Sequence, residues 1–451
     1  MFCPKCGFQV ADGAKFCPKC GCHMPETSQD TTHDQSQLNT PHVNPPRKFP
    51  FIPIAIVGVL VVVIGAFAVL GFMGIGPIAG LLRGGTGAVS EEPGHTQGNY
   101  SSNISVGYGY GVSDNDYDYF ISYRGGGICR AKWNGDSSET ETIYPITIDE
   151  HSYSYASFLN IDDGWLYFCE FTYDYDNSGK QTQKLVRVRT DGSDAETIHE
   201  FETVDVDDAN YNVSAVYLFD SKLYVLITNN ASDVNGVVYQ VVSMNEDGSD
   251  IEELGEVQVD GYAYFVLTPD RIYYAATPTN SSSSTQSKST IYAQDLDGSN
   301  MSVIYESDIG TISALAYKDG RLYFEESNST INYQKLVSVA VDGSDVQRLY
   351  EAPTQTGVYI GMYADDKAYL IAYDNSEGYA MTPSYMVAVP LSGNGETSQI
   401  DFPADGFNVM LLNAGDHMII LNGGGDVASL GYEVWGMSFD GSEEKTYVAA
   451  E

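Results

Sequence analysis

Four cysteines near the start of the chain carry its clearest chemistry. Cys3 and Cys6 form one Cys-x-x-Cys pair, Cys17 and Cys20 a second, with ten residues between them. Each pair turns two thiolates toward one point, and two such turns complete the tetrahedral sulfur site that zinc prefers. Gly7 and Gly21 follow the two pairs. Without a Cβ they let backbone N–H groups approach the sulfurs. A redox dithiol comes as a single pair beside a βαβ unit, and no such unit surrounds these. Cys22, with His23 next to it, is a fifth thiol just past the site and reads as a bystander. So short a segment cannot build a core, so bound metal would supply its folding energy. Its lysines, Lys5, Lys15 and Lys19, are too few for a phosphate footprint.

Elsewhere, residues with chemical potential are scattered. His95, His151, His199 and His417 are far apart in sequence, and neither a Gly-x-Ser-x-Gly elbow nor a His-Glu-x-x-His pair occurs. Carboxylates are so numerous that chance pairs carry no glycosidase signal. Asp174, Asp176, Asn177, Ser178 and Gly179 begin like a calcium loop, but Leu185 stands where the twelfth-position carboxylate belongs. The stretch reads as a polar hairpin loop. Tyr108, Tyr110, Tyr117, Tyr119, Tyr123, Tyr153 and Tyr155 could offer stacking platforms for sugars, or pack as strand aromatics between sheets. The packing role is the expectation.

The first twenty-two residues, with their repeated Cys-Pro-Lys-Cys-Gly, resemble the short zinc ribbon found at the N-terminus of many bacterial membrane proteins. The resemblance implies a small structural metal module and supplies no catalytic role; a cytosolic protein is the expected partner. A polar stretch follows, then an uncharged run from Phe51 to Leu82. Twenty residues of it, Ile54 to Met73, would span about 30 Å as a helix, the thickness of a bilayer core. The run starts too late and is too long for a signal peptide, and it lacks the polar face of a core helix. One transmembrane helix is expected. Arg47 and Lys48 flank its start and Arg83 alone its end. Thiolate zinc belongs in a reducing compartment, which places the ribbon in the cytoplasm and residues 84–451 outside.

Those outer residues are strongly acidic. The chain carries 22 Lys/Arg and 61 Asp/Glu, a net charge of −39, yet residues 1–83 hold six bases and four acids. Such a surface repels phosphate backbones and excludes nucleic acid as a partner. Tyrosine is abundant (34) and glycine plentiful (45), which with the missing helical periodicity points to strands and turns.

A turn recurs at Gly135, Gly192, Gly248, Gly298, Gly343, Gly393 and Gly441, with gaps of 57, 56, 50, 45, 50 and 48 residues. A period near fifty marks a repeated supersecondary unit. An alternating strand precedes each turn, and Asp-Gly supplies the positive φ of a tight hairpin. A second hairpin lies ahead, as in Ile312–Glu326 or Tyr359–Tyr373. Each unit is therefore four antiparallel strands. Seven units predict an all-β fold, a seven-bladed β-propeller, which leaves only short, protected edges. Units such as Arg321–Glu326 followed by Lys335–Glu351 resemble the low-density-lipoprotein-receptor-type propeller repeat, and also TolB-like propellers and an uncharacterised bacterial propeller family. The Trp and Asp of the receptor-type Tyr-Trp-x-Asp strand are mostly missing, so only the scaffold carries over.

The domain reading is 1–23 zinc ribbon, 24–50 flexible tether, 51–76 transmembrane signal-anchor, 77–102 Gly/Ser-rich linker and 103–451 propeller. Functionally the sequence favours a membrane-anchored extracytoplasmic binding or sensing module, not an enzyme, recognising a protein or cell-envelope ligand. A glycan-active hydrolase or lyase on a propeller, and a structural part of an envelope assembly, are the alternatives. Cys129 and Cys169 are expected as two buried, unpaired thiols, because face-to-face sheets stand about 10 Å apart, beyond disulfide reach.

Overall fold

The computed structural model describes Gly87–Ala88 and, with short interruptions, residues 108–449. All of these belong to one unit, Ile54–Glu451. The zinc-ribbon cysteines, the tether, the apolar segment 51–76 and most of the linker lie outside the described residues.

Seven antiparallel sheets follow one another along the chain, each with its four strands in sequence order. Blade 1 is Gly111–Ser113, Asp118–Ser122, Gly127–Ala131 and Glu141–Pro145; blade 2 is Ser152–Asp162, Trp165–Asp174, Lys180–Arg189 and Glu196–Glu200. Blade 3 is Tyr211–Phe219, Lys222–Asn229, Val237–Asn245 and Glu252–Val259; blade 4 is Gly261–Leu267, Arg271–Pro278, Thr290–Asp295 and Ser302–Glu306. Blade 5 is Thr311–Lys318, Arg321–Asn328, Tyr333–Ala340 and Gln347–Glu351; blade 6 is Thr356–Ala364, Lys367–Asp374, Tyr385–Pro390 and Ser398–Asp401. Blade 7 is Val409–Asn413, His417–Asn422, Glu433–Ser438 and Glu444–Val448. This is the expected seven-bladed propeller. Two additions were not visible in the sequence. Val204–Asp205 extends the pairing of blade 2. Gly87–Ala88 pairs in parallel with Ala316 and Tyr317 on the first strand of blade 5.

First strands touch between blades 1 and 2, 2 and 3, 4 and 5, 6 and 7, and 7 and 1, so the ring closes with first strands innermost and fourth strands outermost. The antiparallel order puts the turns between strands one and two, and three and four, on one face of the ring. The connections between strands two and three, and from blade to blade, lie on the other, the loop face.

The core is not inside blades but between them. In the second strand of blade 2, Leu166 and Phe168 pack with blade 1, while Tyr167, Cys169 and Phe171 pack with blade 3. Burial on both faces explains why inner strands such as Ala368–Tyr373 or Met418–Leu421 read as unbroken apolar runs, while the outermost strands keep polar residues.

The recurrent turn is the joint of this architecture. Six of its seven glycines are described, with φ between +71° and +85°. The aspartate before the glycine accepts the N–H of the serine two residues on: Asp191 from Ser193, Asp247 from Ser249, Asp342 from Ser344 and Asp440 from Ser442, each at 2.9 Å. The turn glycine lies on the outermost strand of the preceding blade. A Cβ on Gly192 would sit 3.0 Å from the Ile143 carbonyl oxygen, and one on Gly343 2.9 Å from that of Ile304. Every described turn thus clips its blade to the one before.

Among the described residues no strand is exchanged between the two ends of the ring, and side chains join blades 7 and 1. Ser122 Oγ donates to the Gly431 carbonyl at 2.6 Å and Thr140 Oγ1 to that of Tyr447 at 2.8 Å. Phe120 stacks on Tyr447 with centroids 5.6 Å apart. At the centre of the seam, Asp118 Oδ2 accepts from Tyr447 OH and faces His417 Nε2 at 2.7 Å. His417 Nδ1 lies 2.6 Å from Asp416 Oδ1, and Trp133 stacks on the imidazole at 4.5 Å.

Candidate functional site

The four predicted metal ligands, Cys3, Cys6, Cys17 and Cys20, lie outside the described residues, as do Cys22 and His23. As a donor set, four thiolates in two Cys-x-x-Cys pairs fit a structural zinc ion, which supplies folding energy and no open coordination position. Among the described residues no group of three or more His, Cys, Asp or Glu is arranged to hold a metal, and no helix is long and apolar enough to cross a membrane.

The structure divides the seven singled-out tyrosines into two groups. Tyr117 and Tyr119 sit at the turn face of blade 1. Tyr119 OH donates to Asp114 Oδ2 at 2.8 Å, and the Arg130 guanidinium lies 4.6 Å over the Tyr117 ring. These are structural. Tyr108, Tyr110, Tyr123, Tyr153 and Tyr155 instead gather on the inner strands of blades 1 and 2, joined by Phe171 and Tyr173. Tyr153 is paired across the sheet with Tyr173, and Tyr155 with Phe171. The Tyr155 and Phe171 rings stack at 4.6 Å, Tyr153 and Tyr173 at 6.4 Å, and Tyr123 reaches Tyr153 across the blade boundary at 6.3 Å. All five of these tyrosines and Tyr173 are half-buried.

Their hydroxyls face one another. Burial, then the neighbouring Tyr153 and Tyr110, pushes the Tyr123 phenol well up. Burial raises Tyr110 to about 12 against a hydrogen bond from Ser157. The cluster is therefore a neutral aromatic surface with phenolic donors and acceptors. At its rim on the loop face, exposed His151 meets Asp176 at 2.8 Å, and Asp149 holds the turn by accepting the N–H groups of His151 and Ser152 at 2.8 Å. Asp174 accepts the Asp176 N–H at 3.0 Å, consistent with a polar hairpin; residues 177–179 lie outside the described residues.

Several other titratable groups are packed into the scaffold. His199 lies in the outermost strand of blade 2, against Phe201 at 4.6 Å, and burial lowers its pKa. Cys129 and Cys169 are unpaired and buried, as expected. The reason differs from the expected one: Cys129 faces blade 7 and Cys169 faces blade 3, so the two point apart. Burial raises the Cys129 thiol to about 11. Two arrangements escaped the sequence reading. Burial and the adjacent Asp162 carboxyl lift Glu246 to about 7 in the recurrent turn of blade 3, where it seats on blade 2. The Asp118–His417–Tyr447 seam joins residues some three hundred positions apart. An open groove of about 380 Å³ between blades 6 and 7 is lined by Asp365, Lys367, Ser398, Phe439 and Asp440. Asp440 is held down to about 2 there by the Ser442 hydroxyl and N–H.

Comparison with known proteins agrees on the two modules. The zinc-ribbon domain family matches residues 2–24. No curated protein matches the chain. Among solved structures, puromycin hydrolase aligns at 11% identity with a TM-score of 0.51, over 81% of this chain and 57% of the hydrolase. The β-propeller domain of the Trilobed protease from Pyrococcus furiosus aligns at 12% identity and a TM-score of 0.47, over 76% of this chain and 93% of that one. Oligogalacturonate lyase from Vibrio parahaemolyticus aligns at 10% identity and a TM-score of 0.45, over 63% and 74%. At such identities the likeness extends to the fold alone. The chain combines a zinc-ribbon segment with a seven-bladed propeller of four-stranded blades.

Proposed function

We propose that the chain is a single-pass membrane protein whose extracytoplasmic propeller is a non-enzymatic binding and sensing module. Its helix is residues 51–76, and its zinc ribbon faces the cytoplasm, where it docks a cytosolic protein. The observation that carries the reading is the half-buried cluster of Tyr110, Tyr123, Tyr153, Tyr155 and Tyr173. Aromatic bodies with polar tips recognise ligands that are partly apolar and partly hydroxylated, such as protein loops and envelope sugars. A rigid ring that presents such a surface beside its longer connections is suited to recognition. The described cysteines are buried, with raised pKa values, and His417 and His199 are packed into the scaffold. The exposed ion pair of His151 and Asp176 serves as a polar edge.

Two measurements on the full-length protein in its membrane test this. Protease added outside should remove the propeller and spare residues 1–50; digestion of the ribbon instead overturns the orientation. A photo-crosslinking side chain at Tyr153 should give a discrete adduct in intact cells, absent when it stands at Glu443 on the opposite face. Equal labelling from both positions, or from neither, refutes the recognition surface. Release of cleavage products from an envelope glycan by the purified protein would refute the non-enzymatic part.

A further inference from the structure

The large apolar side chains exposed among the described residues are Ile251, Met301, Val303 and Val346, at 50%, 63%, 54% and 51%. Single exposed apolar residues are ordinary, but these are not scattered. Ile251 is the third residue after turn glycine Gly248, Met301 the third after Gly298, and Val346 the third after Gly343. They occupy one position of the repeat in three consecutive blades. At the same position blades 2, 6 and 7 carry Ala195, Glu396 and Glu444.

The turn docking sets each of the later two beside the outermost strand of the blade before it. The blade 4 turn lies on the outermost strand of blade 3: a Cβ on Gly298 would stand 3.4 Å from the Glu256 carbonyl oxygen, and one on Gly255 2.8 Å from the Gly298 nitrogen. Met301 therefore borders the strand that Ile251 leads into. The blade 5 turn lies in the same way on Ile304, so Val346 borders the strand that carries Val303. The result is an apolar arc along the rim of blades 3 to 5, on the turn face.

Carboxylates surround the arc. Asp247, Asp250, Glu252, Glu253 and Glu256 in blade 3, Asp297 and Glu306 in blade 4, and Asp342 and Asp345 in blade 5 are all exposed. Three bases of these blades are already engaged: Arg271 with Asp295 at 3.1 Å, Arg321 with Asp345 at 2.7 Å, and Arg348 with Glu351 at 2.6 Å.

We propose that this arc docks a polypeptide segment of a partner protein that carries both apolar and basic side chains. Burying the four apolar side chains supplies affinity, and the carboxylates steer and orient a cationic partner. The same charge repels an anionic lipid surface. The arc is on the face opposite the tyrosine cluster, so the inference stands apart from the recognition surface proposed above and adds a second one.

The test uses the full-length protein in nanodiscs of neutral lipid, with a fluorescent fourteen-residue peptide of leucine and lysine as probe. Anisotropy should show saturable binding that weakens with salt. The triple variant Ile251→Ser, Met301→Ser, Val346→Ser should weaken it at least tenfold, while Glu396→Ser with Glu444→Ser on blades 6 and 7 changes it less than twofold. Exposed substitutions of this kind leave stability nearly unchanged. Absence of saturable binding, or equal loss in both variants, overturns the proposal. So does binding of phosphatidylglycerol vesicles that the triple variant abolishes, since the arc would then be a membrane surface. Loss of arc binding with the Tyr153 crosslink intact separates failure here from failure of the recognition reading.

Discussion

Replacing Asp118 by Asn tests how the ring is closed. Asp118 is 1% exposed and its Oδ2 serves both His417 Nε2 at 2.7 Å and the Tyr447 hydroxyl. Burial alone would lower the His417 pKa, but the Asp118 and Asp416 carboxylates raise it above its ordinary value. A carboxylate beside each ring nitrogen therefore favours the imidazolium form. Removing one partner of a buried pair costs about 3–5 kcal/mol. Asn keeps an acceptor for Tyr447, so the lower end, about 3 kcal/mol, is expected. The pH dependence has a definite sign. A raised folded pKa contributes stability that is complete below the ordinary histidine value near 6.5 and is lost as pH rises through the folded value. The gap between wild type and Asp118→Asn should thus be widest near pH 5.5 and narrow toward pH 9. Urea unfolding followed by tryptophan fluorescence reads it, helped by Trp133 stacked on His417. Comparing the two proteins at each pH cancels the general repulsion of so acidic a chain. A gap below about 1 kcal/mol at pH 5.5, or one that widens with pH, would show that the seam does not rest on this pair.

Three further outcomes are expected. Purified full-length protein should hold one zinc per chain by metal analysis, lost in Cys17→Ser and kept in Cys22→Ser; retention in Cys17→Ser would remove it from the ligand set. Cys129 and Cys169, both buried with raised pKa values, should react with a thiol reagent only as the propeller unfolds, and labelling of the native protein at the rate of a free thiol would contradict their burial. Gly248 and Gly320 have nearly the same φ, +77° and +76°, but an added Cβ would strike the Ile198 carbonyl at Gly248 and meet nothing within 4 Å at Gly320. Gly320→Ala should cost about 1–2 kcal/mol in urea unfolding, the left-handed penalty alone. Gly248→Ala should cost clearly more, and equal losses would mean that the turn does not clamp blade 2.

Blade number and strand count were readable because each blade ends its inner hairpin and outer hairpin with local chemistry. Asp-Gly-Ser at Asp191, Asp247, Asp297, Asp342 and Asp440 encodes its own turn within three residues. What that motif does beyond the turn, sitting on the preceding blade, depends on backbone contacts between residues about fifty positions apart and leaves no mark in the sequence. The tyrosines were visible as candidates, but not their division. Tyr119 and Tyr123 lie in or next to the same strand, yet Tyr119 serves a turn-face hydrogen bond and Tyr123 the inner cluster. The seam was invisible because Asp118, His417 and Tyr447 each look like ordinary strand residues until the ring brings the first and last blades together. The cysteine outcome was correct for an incomplete reason, since strand alternation rather than sheet spacing sends Cys129 and Cys169 to opposite neighbours.

The clip of each turn onto the preceding blade gives the ring a direction of assembly. A blade's recurrent turn can seat only when the outermost strand of the blade before it is in place, and that strand is always the one made earlier. As the chain emerges from its N-terminus, each new blade finds its platform already built, and nearest-neighbour contacts propagate order along the array. The exception is the joint between blades 7 and 1, where Lys445 Nζ reaches the carbonyls of Lys132 and Trp133. Both surfaces of that joint exist only when the last strand, Glu444–Val448, is complete. A chain truncated within blade 7 would therefore hold an ordered but open arc of blades, with the Phe120 and Cys129 face of blade 1 uncovered. Exposed apolar surface of that kind invites the matching face of a second, equally incomplete copy.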